Sequence, residues 1–189
     1  MFLNKIKTLF NVYFKKVLPD KRNFIFKLLK KNSLCCEVGV WKGDFTQKIV
    51  NKINPKKIYL IDPWKDFGSN YFEKISQKYN QDNQNIRYEF VKKRFKKYIN
   101  KKKVLILRKT SSEALNDIKE IKFDFIYLDG NHKYEFIKFD LENYYELLSN
   151  YGYMIGDDYR LDGVKRAVSE FILKKKIKNL IVKNDQFII

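Results

Sequence analysis

Several residue types are scarce in this chain of 189 residues, and each shortage excludes a class of protein. Two Cys, three Pro and seven Gly exclude a disulfide-stapled domain, a collagen-like chain and a low-complexity chain. No apolar run approaches the roughly 18 residues needed to cross a bilayer, and the first residues lack the features of a cleaved signal peptide. With 44% hydrophobic residues, the chain is expected to be a soluble, cytoplasmic protein with a sizeable core.

The two cysteines, Cys35 and Cys36, are neighbours within an apolar run. Adjacent side chains of a β-strand point to opposite faces of the sheet, so this pair is not expected to form an ordinary disulfide. We therefore expect two buried, reduced thiols.

Positive charge is abundant, and the formal net charge is +18. Clustered cations neutralise phosphates, which raises nucleic acid and anionic membranes as partners. However, Arg is the residue best suited to bidentate phosphate contacts, and the chain has only 6 Arg against 34 Lys. Solvated faces of predicted helices account for the Lys runs, which are Lys92-Lys93, Lys96-Lys97, 101–103 and 174–176. Nucleic acid stays an alternative partner that the sequence does not favour.

Apolar segments of strand length alternate with helical patterns along most of the chain. Helical spacing predicts an amphipathic helix over 1–17 and a second helical piece over 22–31. The predicted strands are Leu34–Val40, Lys57–Asp62, Val104–Leu107, Phe123–Leu128 and Tyr153–Ile155, followed by a hairpin of 179–182 and 186–189. This order predicts an α/β fold, a doubly wound parallel sheet to which the hairpin adds one antiparallel strand at the edge.

The segment 63–83 is polar, aromatic and rich in turn residues, which predicts a long connection. Long connections in compact domains are often functional, and we interpret this one as a lid over a site. Aromatic residues that are candidate walls of such a site are Trp41, Trp64, Tyr71, Phe72 and Tyr159. Core packing is the more common use of any one of them.

Acidic residues follow four of the predicted strands, at the edge where doubly wound sheets bind ligands. Glu37 opens the segment Glu37-Val38-Gly39-Val40-Trp41-Lys42-Gly43, and Asp62 ends the second strand. Later strands lead into Asp129-Gly130-Asn131-His132 and Gly156-Asp157-Asp158-Tyr159. The glycine spacing is not that of a dinucleotide site, and an acid before the turn would repel pyrophosphate but favour a cationic ligand.

Together these motifs resemble the class I S-adenosylmethionine-dependent methyltransferases. The motifs are Glu37-x-Gly39-x-x-x-Gly43, Asp62, Ser111-Ser112-Glu113-Ala114, Asp129-Gly130-x-His132-x-Tyr134, Gly156-Asp157-Asp158-Tyr159 and Gly163-Val164-x-x-Ala167-Val168. Within that class the chain resembles the small-molecule and sugar O-methyltransferases, including the macrocin and mycinamicin enzymes. The resemblance implies a seven-stranded, mostly parallel sheet whose last strand is antiparallel. It covers residues 34–189 and leaves 1–33 as an N-terminal helical extension.

The resemblance also implies roles for the cofactor-binding residues. The turn from Glu37 through Gly39 and Trp41 to Gly43 would hold the methionine part of S-adenosylmethionine. Asp62 would bind the ribose hydroxyls, and Ser111 or Ser112 would lie near the adenine. Each has a structural alternative: an ordinary turn for the glycines, a turn cap for Asp62, and a helix N-cap for the serines.

Several relatives in this group hold a divalent cation at positions that correspond to Asp129, Asp157 and Asp158. Carboxylates without thiolates favour magnesium over zinc. Such an ion would bind a hydroxyl pair of the acceptor and lower the pKa of one hydroxyl. Alternatively, Asp129 contacts only cofactor or acceptor, and Asp157 and Asp158 cap the next helix.

His132 is the only histidine of the chain, and it follows Asp129 by three residues. We interpret it as the base that takes the acceptor proton, with Asp129 beside it as a second catalytic residue. The acid that relatives often carry two residues after the aspartate is replaced by Asn131, which cannot accept a proton. The alternative is that His132 only orients a carboxylate or a substrate group.

The expected acceptor is a small molecule or a sugar. A nucleic-acid methyltransferase or RNA-binding protein on the same fold is one alternative. A non-catalytic scaffold that contacts anionic membranes through the helix over 1–17 is another. Packing of that helix on the sheet, or on a second subunit of a homodimer, is preferred to the membrane contact.

Overall fold

The apolar runs of the sequence become the strands of one sheet. The computed structural model describes residues 20–67 and 80–189, and within them the sheet has seven strands. The strands are β1 Leu34–Val38, β2 Lys57–Ile61, β3 Val104–Leu107, β4 Phe123–Leu128, β5 Leu148–Gly156, β6 Ile181–Lys183 and β7 Gln186–Ile188. The described helices are α1 Asp44–Ile53, α2 Gln81–Asn100, α3 Ser111–Ile118, α4 Tyr134–Tyr144 and α5 Asp162–Lys175, with 3-10 helices at Lys21–Lys27 and Tyr145–Leu147.

The strand order is β3-β2-β1-β4-β5-β7-β6, and β1 to β5 run parallel. The chain moves outward from β1 to β3 and then crosses back to place β4 on the other side of β1. This reversal opens a crevice beyond the carboxyl ends of β1 and β4, where such sheets bind ligands. The predicted doubly wound α/β fold with an antiparallel last strand is confirmed.

The position of the last strand differs from the prediction. β7 pairs antiparallel with both β5 and β6, so the edge strand is β6 and β7 lies inside the sheet. Gly156 permits this insertion, because a Cβ atom there would lie 2.2 Å from the ring of Phe187 on β7. The hairpin turn between the two strands is thereby brought beside the end of β5.

Two apolar cores cover the two faces of the sheet. One packs β-strand residues against α3, α4 and α5, and the other packs them against α1, α2 and the first 3-10 helix. Cys36 belongs to the first core and Cys35 to the second, and both are buried, free thiols. The prediction that these neighbours face opposite sides of the sheet is confirmed.

The predicted helix over 1–17, with its proposed membrane or subunit contact, lies outside the described residues, as do Tyr71 and Phe72. The helical piece predicted over 22–31 is a shorter 3-10 helix at Lys21–Lys27, whose N-cap is Asp20. Of the helices in the described ranges, none combines the length and apolar character that crossing a bilayer requires.

Candidate functional site

The first turn of the site, residues 39–43, begins where β1 ends. Gly39 has a φ of +87°, and its N–H donates to the carbonyl of Ile61 over 2.9 Å. A Cβ atom at this position would lie 1.9 Å from the carbonyl oxygen of Asp129, so only glycine lets the turns after β1 and β4 approach this closely. Gly43 has a φ of +73° and precedes α1, where a Cβ atom would lie 2.6 Å from the ring of Phe95.

Glu37 lies beneath this turn and is 1% exposed. The hydroxyl of Thr46 on α1 donates to its carboxyl over 2.6 Å. Burial, with a smaller contribution from the nearby Asp129, raises the pKa of Glu37 to about 8 against the opposing effect of the Thr46 hydrogen bond. An acid in this state accepts a positive charge at low cost, because a cation placed beside it restores the ionised form.

Asp62 follows β2 and fastens the first turn. Its Oδ2 accepts the N–H groups of Val40 over 3.0 Å and Trp41 over 2.9 Å, and its Oδ1 accepts that of Trp64 over 2.8 Å. Burial raises the pKa of Asp62, although these backbone hydrogen bonds and the charge of Arg87 act in the opposite direction. The turn-capping alternative is therefore confirmed as a structural role, while the ribose role stays a prediction.

Trp41 and Trp64, two of the candidate walls, differ in environment. Trp41 is 38% exposed and has the guanidinium of Arg87 stacked 3.8 Å from its ring centre. Trp64 is buried, and its indole N–H donates to the carbonyl of Trp41 over 2.9 Å. Trp64 is thus a core residue that supports the turn, and Trp41 is the member of the pair that a ligand can reach. Tyr159 packs against Phe187.

Ser111 and Ser112 are the first two residues of α3, and the alternative that one of them caps this helix is wrong. Thr110 is the N-cap, and it forms a reciprocal capping box with Glu113. The spacing Thr-x-x-Glu is a readable sign of that cap. The serine side chains are therefore not required for capping, and Ser112 is exposed while Ser111 is half-buried.

Asp140 on α4 is a buried acid that the sequence analysis did not single out. It is 2% exposed, and its Oδ1 has no hydrogen-bond partner within the described part of the chain. Burial raises its pKa to about 7, while a hydrogen bond from the Ser111 side chain opposes the shift. Asp140 is therefore a direct neighbour of Ser111, one of the two serines predicted to lie near the adenine.

His132 stands between two of the predicted acids. Its Nε2 lies 3.6 Å from Asp129 Oδ1 and 3.5 Å from Asp158 Oδ2. This nitrogen is buried and makes no hydrogen bond to any residue in 20–67 or 80–189. Burial acts to lower the pKa of His132, but Asp129, Asp158 and Asp157 outweigh it and leave the pKa raised. Burial also raises the pKa of Asp129, against the effect of His132.

Asp157 and Asp158 meet a third acid that the sequence analysis missed, Asp185 in the hairpin between β6 and β7. One carboxylate oxygen from each lies within 4.8 Å of the others, and we call these three residues with Asp129 the acid cluster. Leu161 is the N-cap residue of α5, so the alternative that Asp157 and Asp158 cap this helix is wrong.

Protein groups hold Asp157, Asp158 and Asp185 of the acid cluster in place. Gln186 donates to Asp157, whose other oxygen faces the Tyr127 hydroxyl over 3.3 Å. Arg160 pairs with Asp158 over 3.1 Å and with Asp185. Sequence reasoning had no means of finding Asp185 and Gln186, because only the insertion of β7 beside β5 brings them to the site.

Arg22 in the first 3-10 helix also reaches the site. Its Nη1 lies 3.7 Å from Asp129 Oδ2, and its guanidinium stacks 4.6 Å from the ring centre of Phe45. The segment that carries it is held by Asp20, which also pairs with Lys48, and by a hydrogen bond of 3.0 Å from Asn184 to the Lys21 carbonyl. No local sequence pattern indicates this contact.

Residues 36–159 match a sequence-family profile described as a methyltransferase domain. No curated protein matches the chain at a significant level.

Solved structures with the same fold come from several kinds of methyltransferase. Precorrin-6y C5,15-methyltransferase from Geobacter metallireducens has a TM-score of 0.61 at 14% identity, covering 92% of this chain and 88% of its own. The O-methyltransferase NovP has a TM-score of 0.60 at 22% identity, and the match covers 82% of this chain and 70% of NovP. An rRNA methylase from Streptococcus thermophilus has a TM-score of 0.56 at 13% identity, and the match covers 93% of this chain and 95% of the methylase. At these identities the likeness establishes the fold alone.

Proposed function

The chain belongs to the methyltransferase domain family as a class I S-adenosylmethionine-dependent methyltransferase, and from this premise we propose that it methylates a hydroxyl oxygen of a small molecule. A sugar or a sugar-bearing compound is the leading acceptor. The observation that carries the proposal is the buried Nε2 of His132, which lies between Asp129 and Asp158 without a hydrogen bond to another described residue. A hydroxyl placed against that nitrogen would satisfy it.

The residues at the carboxyl ends of β1 and β2 fit the cofactor by their chemistry. The methionine part carries an ammonium group, and the buried Glu37 and Asp129 beside the first turn are acids that such a cation would hold in their ionised form. Three backbone N–H groups occupy acceptor positions of Asp62, and a carboxylate offers about four, so capacity for a ribose hydroxyl remains. The unpartnered Oδ1 of Asp140, behind Ser111, is an acceptor on the predicted adenine side.

When bound, S-adenosylmethionine supplies a methyl group that is already activated by the sulfonium. The protein residues would align the acceptor, exclude water and remove its proton. His132 is the proposed base, and the negative charges of Asp129 and Asp158 stabilise the imidazolium that proton transfer creates. Asp129 would thereby act with His132 at the reacting hydroxyl.

We also propose that magnesium assists this reaction. Asp129, Asp157 and Asp158 would hold the ion, since carboxylate oxygens are its preferred protein ligands. Asp157 and Asp158 lie close enough to share an ion, with Asp185 as a third group, whereas His132 stands between Asp158 and Asp129. When bound, the ion would lower the pKa of an acceptor hydroxyl. Calorimetric titration with Mg²⁺ checks this: heat that is unchanged in Asp157→Asn would remove Asp157 from the site.

A nucleic-acid methyltransferase is the second candidate, because the net charge is +18 and rRNA methylases share the fold. The acid cluster weighs against it, since its four carboxylates would repel a phosphate backbone. RNA binding that weakens steeply with salt and depends on RNA structure would favour this candidate over the small-molecule proposal.

The proposal is tested by methyl transfer from methyl-labelled S-adenosylmethionine to a panel of sugars, sugar-bearing small molecules and RNA. We expect a methyl ether on one hydroxyl, and loss of that product with His132→Gln but not with the neighbouring Lys133→Gln. Label that appears only in RNA, or on nitrogen, would contradict the proposal. Calorimetry with S-adenosylmethionine on the wild type and Asp62→Ala tests the cofactor side separately, and unchanged affinity in the variant would remove Asp62 from it.

A further inference from the structure

The guanidinium of Arg22 is a fixed cation at the site to which the proposed function assigns no task. Its Nε and Nη2 donate to the two carboxylate oxygens of Asp20 over 3.2 and 3.3 Å. Asp20 also caps the 3-10 helix by accepting the N–H of Arg22 over 2.8 Å. The position of this side chain is therefore set by its own helix before any ligand binds.

Contacts with α1 and with the hairpin fix the segment from two further sides. The guanidinium stacks on Phe45, Lys48 pairs with Asp20, and Asn184 binds the carbonyl of Lys21. The Arg22 side chain keeps 22% of its surface exposed, so it is held without being enclosed. A cation in this condition loses little conformational entropy when it binds an anion.

The part of the guanidinium that Asp20 does not use faces the turn after β1. Nη1 lies 3.7 Å from Asp129 Oδ2, outside hydrogen-bonding distance, and the backbone of Asp129 is the neighbour that excludes a Cβ atom at Gly39. Arg22 also lies near enough to Glu37 to lower the pKa of that acid. The guanidinium thus shares one small region with the two acids and the glycine of the first turn.

The methionine part of the cofactor carries two opposite charges, an ammonium and a carboxylate. Glu37 and Asp129 complement the ammonium but would repel the carboxylate, which needs a cation nearby. A planar guanidinium binds a carboxylate through short, charge-assisted hydrogen bonds, and Nη1 of Arg22 is the nitrogen that makes none to Asp20. We propose that Arg22 binds the α-carboxylate of S-adenosylmethionine, an assignment that rests on the proposed placement of the cofactor at the first turn.

Calorimetry with two ligands tests this assignment. S-adenosylmethionine and its decarboxylated analogue differ at the group in question, and each is titrated into the wild type and Arg22→Met. We expect the variant to bind S-adenosylmethionine about 10- to 100-fold more weakly, as for the loss of a hydrogen bond to a charged group, and the analogue within about threefold of the wild type. Arg22→Lys should recover part of the loss. Lys48→Met, which removes the other partner of Asp20, should bind both ligands like the wild type.

Three results would overturn the assignment. Equal weakening of both ligands by Arg22→Met would make Arg22 a structural residue only. Unchanged binding of both ligands, with a higher KM for the acceptor, would move Arg22 to the acceptor side. If the wild type bound neither ligand, the proposed function would itself fail. This result is distinguishable from the other two because it is seen in the wild type alone. Thermal unfolding of each variant verifies that the chain remains folded.

Discussion

The two sides of the site are held in place by different kinds of interaction. The first turn, after β1, is fixed by the backbone: Gly39 lies against the main chain of Asp129, and Asp62 accepts three backbone N–H groups. The acid cluster, after β4 and β5, is fixed by side chains: His132 lies 3.5 to 3.6 Å from two carboxylates, and Arg160 joins Asp158 to Asp185.

This difference separates recognition of a constant ligand from recognition of a variable one. Backbone geometry tolerates few substitutions, which suits a cofactor that is the same in every turnover. Side-chain charges are replaced one at a time without moving the strands, which suits an acceptor that differs between enzymes. Substitutions in the first turn should therefore mainly lower the free energy of unfolding. Substitutions at the acid cluster should mainly change kcat or its pH dependence.

The largest effect on stability is expected for Gly39→Ala. Its φ is +87° and its Cβ atom would lie 1.9 Å from a backbone oxygen, so the turn must distort. A loss of about 3 to 5 kcal/mol in the free energy of unfolding is expected, together with loss of cofactor binding. Gly130→Ala is the control, because its nearest neighbours would be 3.6 and 3.9 Å away. Similar urea-unfolding curves for the two variants would contradict the claim that the close backbone approach at Gly39 fixes the first turn.

On the acid-cluster side, His132→Gln should change the chemistry and leave the fold intact. Loss of a general base lowers kcat by about 10²- to 10⁴-fold, while the free energy of unfolding should stay nearly unchanged at a pH where the imidazole of His132 is neutral. Because the acids raise the pKa of His132, the wild-type rate should rise with pH through a midpoint above 6.5. A midpoint at or below 6.5, or an unchanged rate in the variant, would argue against His132 as the base.

Asp62→Asn and Asp158→Asn compare one acid from each side. An amide cannot accept hydrogen bonds on both of its arms, so Asp62→Asn leaves backbone N–H groups unsatisfied and should cost about 1 to 3 kcal/mol. Asp158→Asn should have a smaller effect on stability but shift the pH midpoint of kcat downward, because one carboxylate beside His132 loses its charge. Equal destabilisation by both would remove the contrast between the two sides.

At pH 5 the smallest effect on stability is expected for Glu37→Gln, and this effect grows as the pH rises. Burial raises the pKa of folded Glu37 from 4.5 to about 8, so its stabilising contribution is present below 4.5 and is lost as the pH rises through 8. The variant has no carboxyl group to ionise, so its free energy of unfolding does not fall in this way. Between pH 5 and pH 9, its free energy of unfolding relative to that of the wild type should rise by at least about 1.4 kcal/mol, the free energy of one pKa unit. Melting temperatures at pH 5 and pH 9 measure this, and parallel curves would contradict it.

Much of the fold was predictable because buried parallel strands are continuous apolar runs. Val104–Leu107 and Phe123–Leu128 coincide with their predictions, and the acids that follow β2, β4 and β5 lie at the predicted edge. The Asn184-Asp185 turn predicted a hairpin, but a turn does not specify which strand its partner joins, so the insertion of β7 was missed.

The residues that the sequence did not reveal reach the site over long chain separations. Arg22 lies 107 positions before Asp129, its partner across the site, and Asp185 follows Asp157 by 28 positions. No local pattern encodes such contacts, because sheet order and helix packing create them. Thr110 differs from these residues, because the spacing of Thr110 and Glu113 is that of a capping box and can be read from the sequence. The capping alternative above considered Ser111 and Ser112 and not the adjacent Thr110.

The hairpin contacts also constrain when the site forms during synthesis. Asn184, Asp185 and Gln186 bind Lys21, Arg160 and Asp157, so segments from the beginning and the end of the described chain meet at one place. A ribosome-bound chain that has not yet released β7 cannot form the complete acid cluster. Catalytic competence should therefore arise only after the hairpin has left the ribosome.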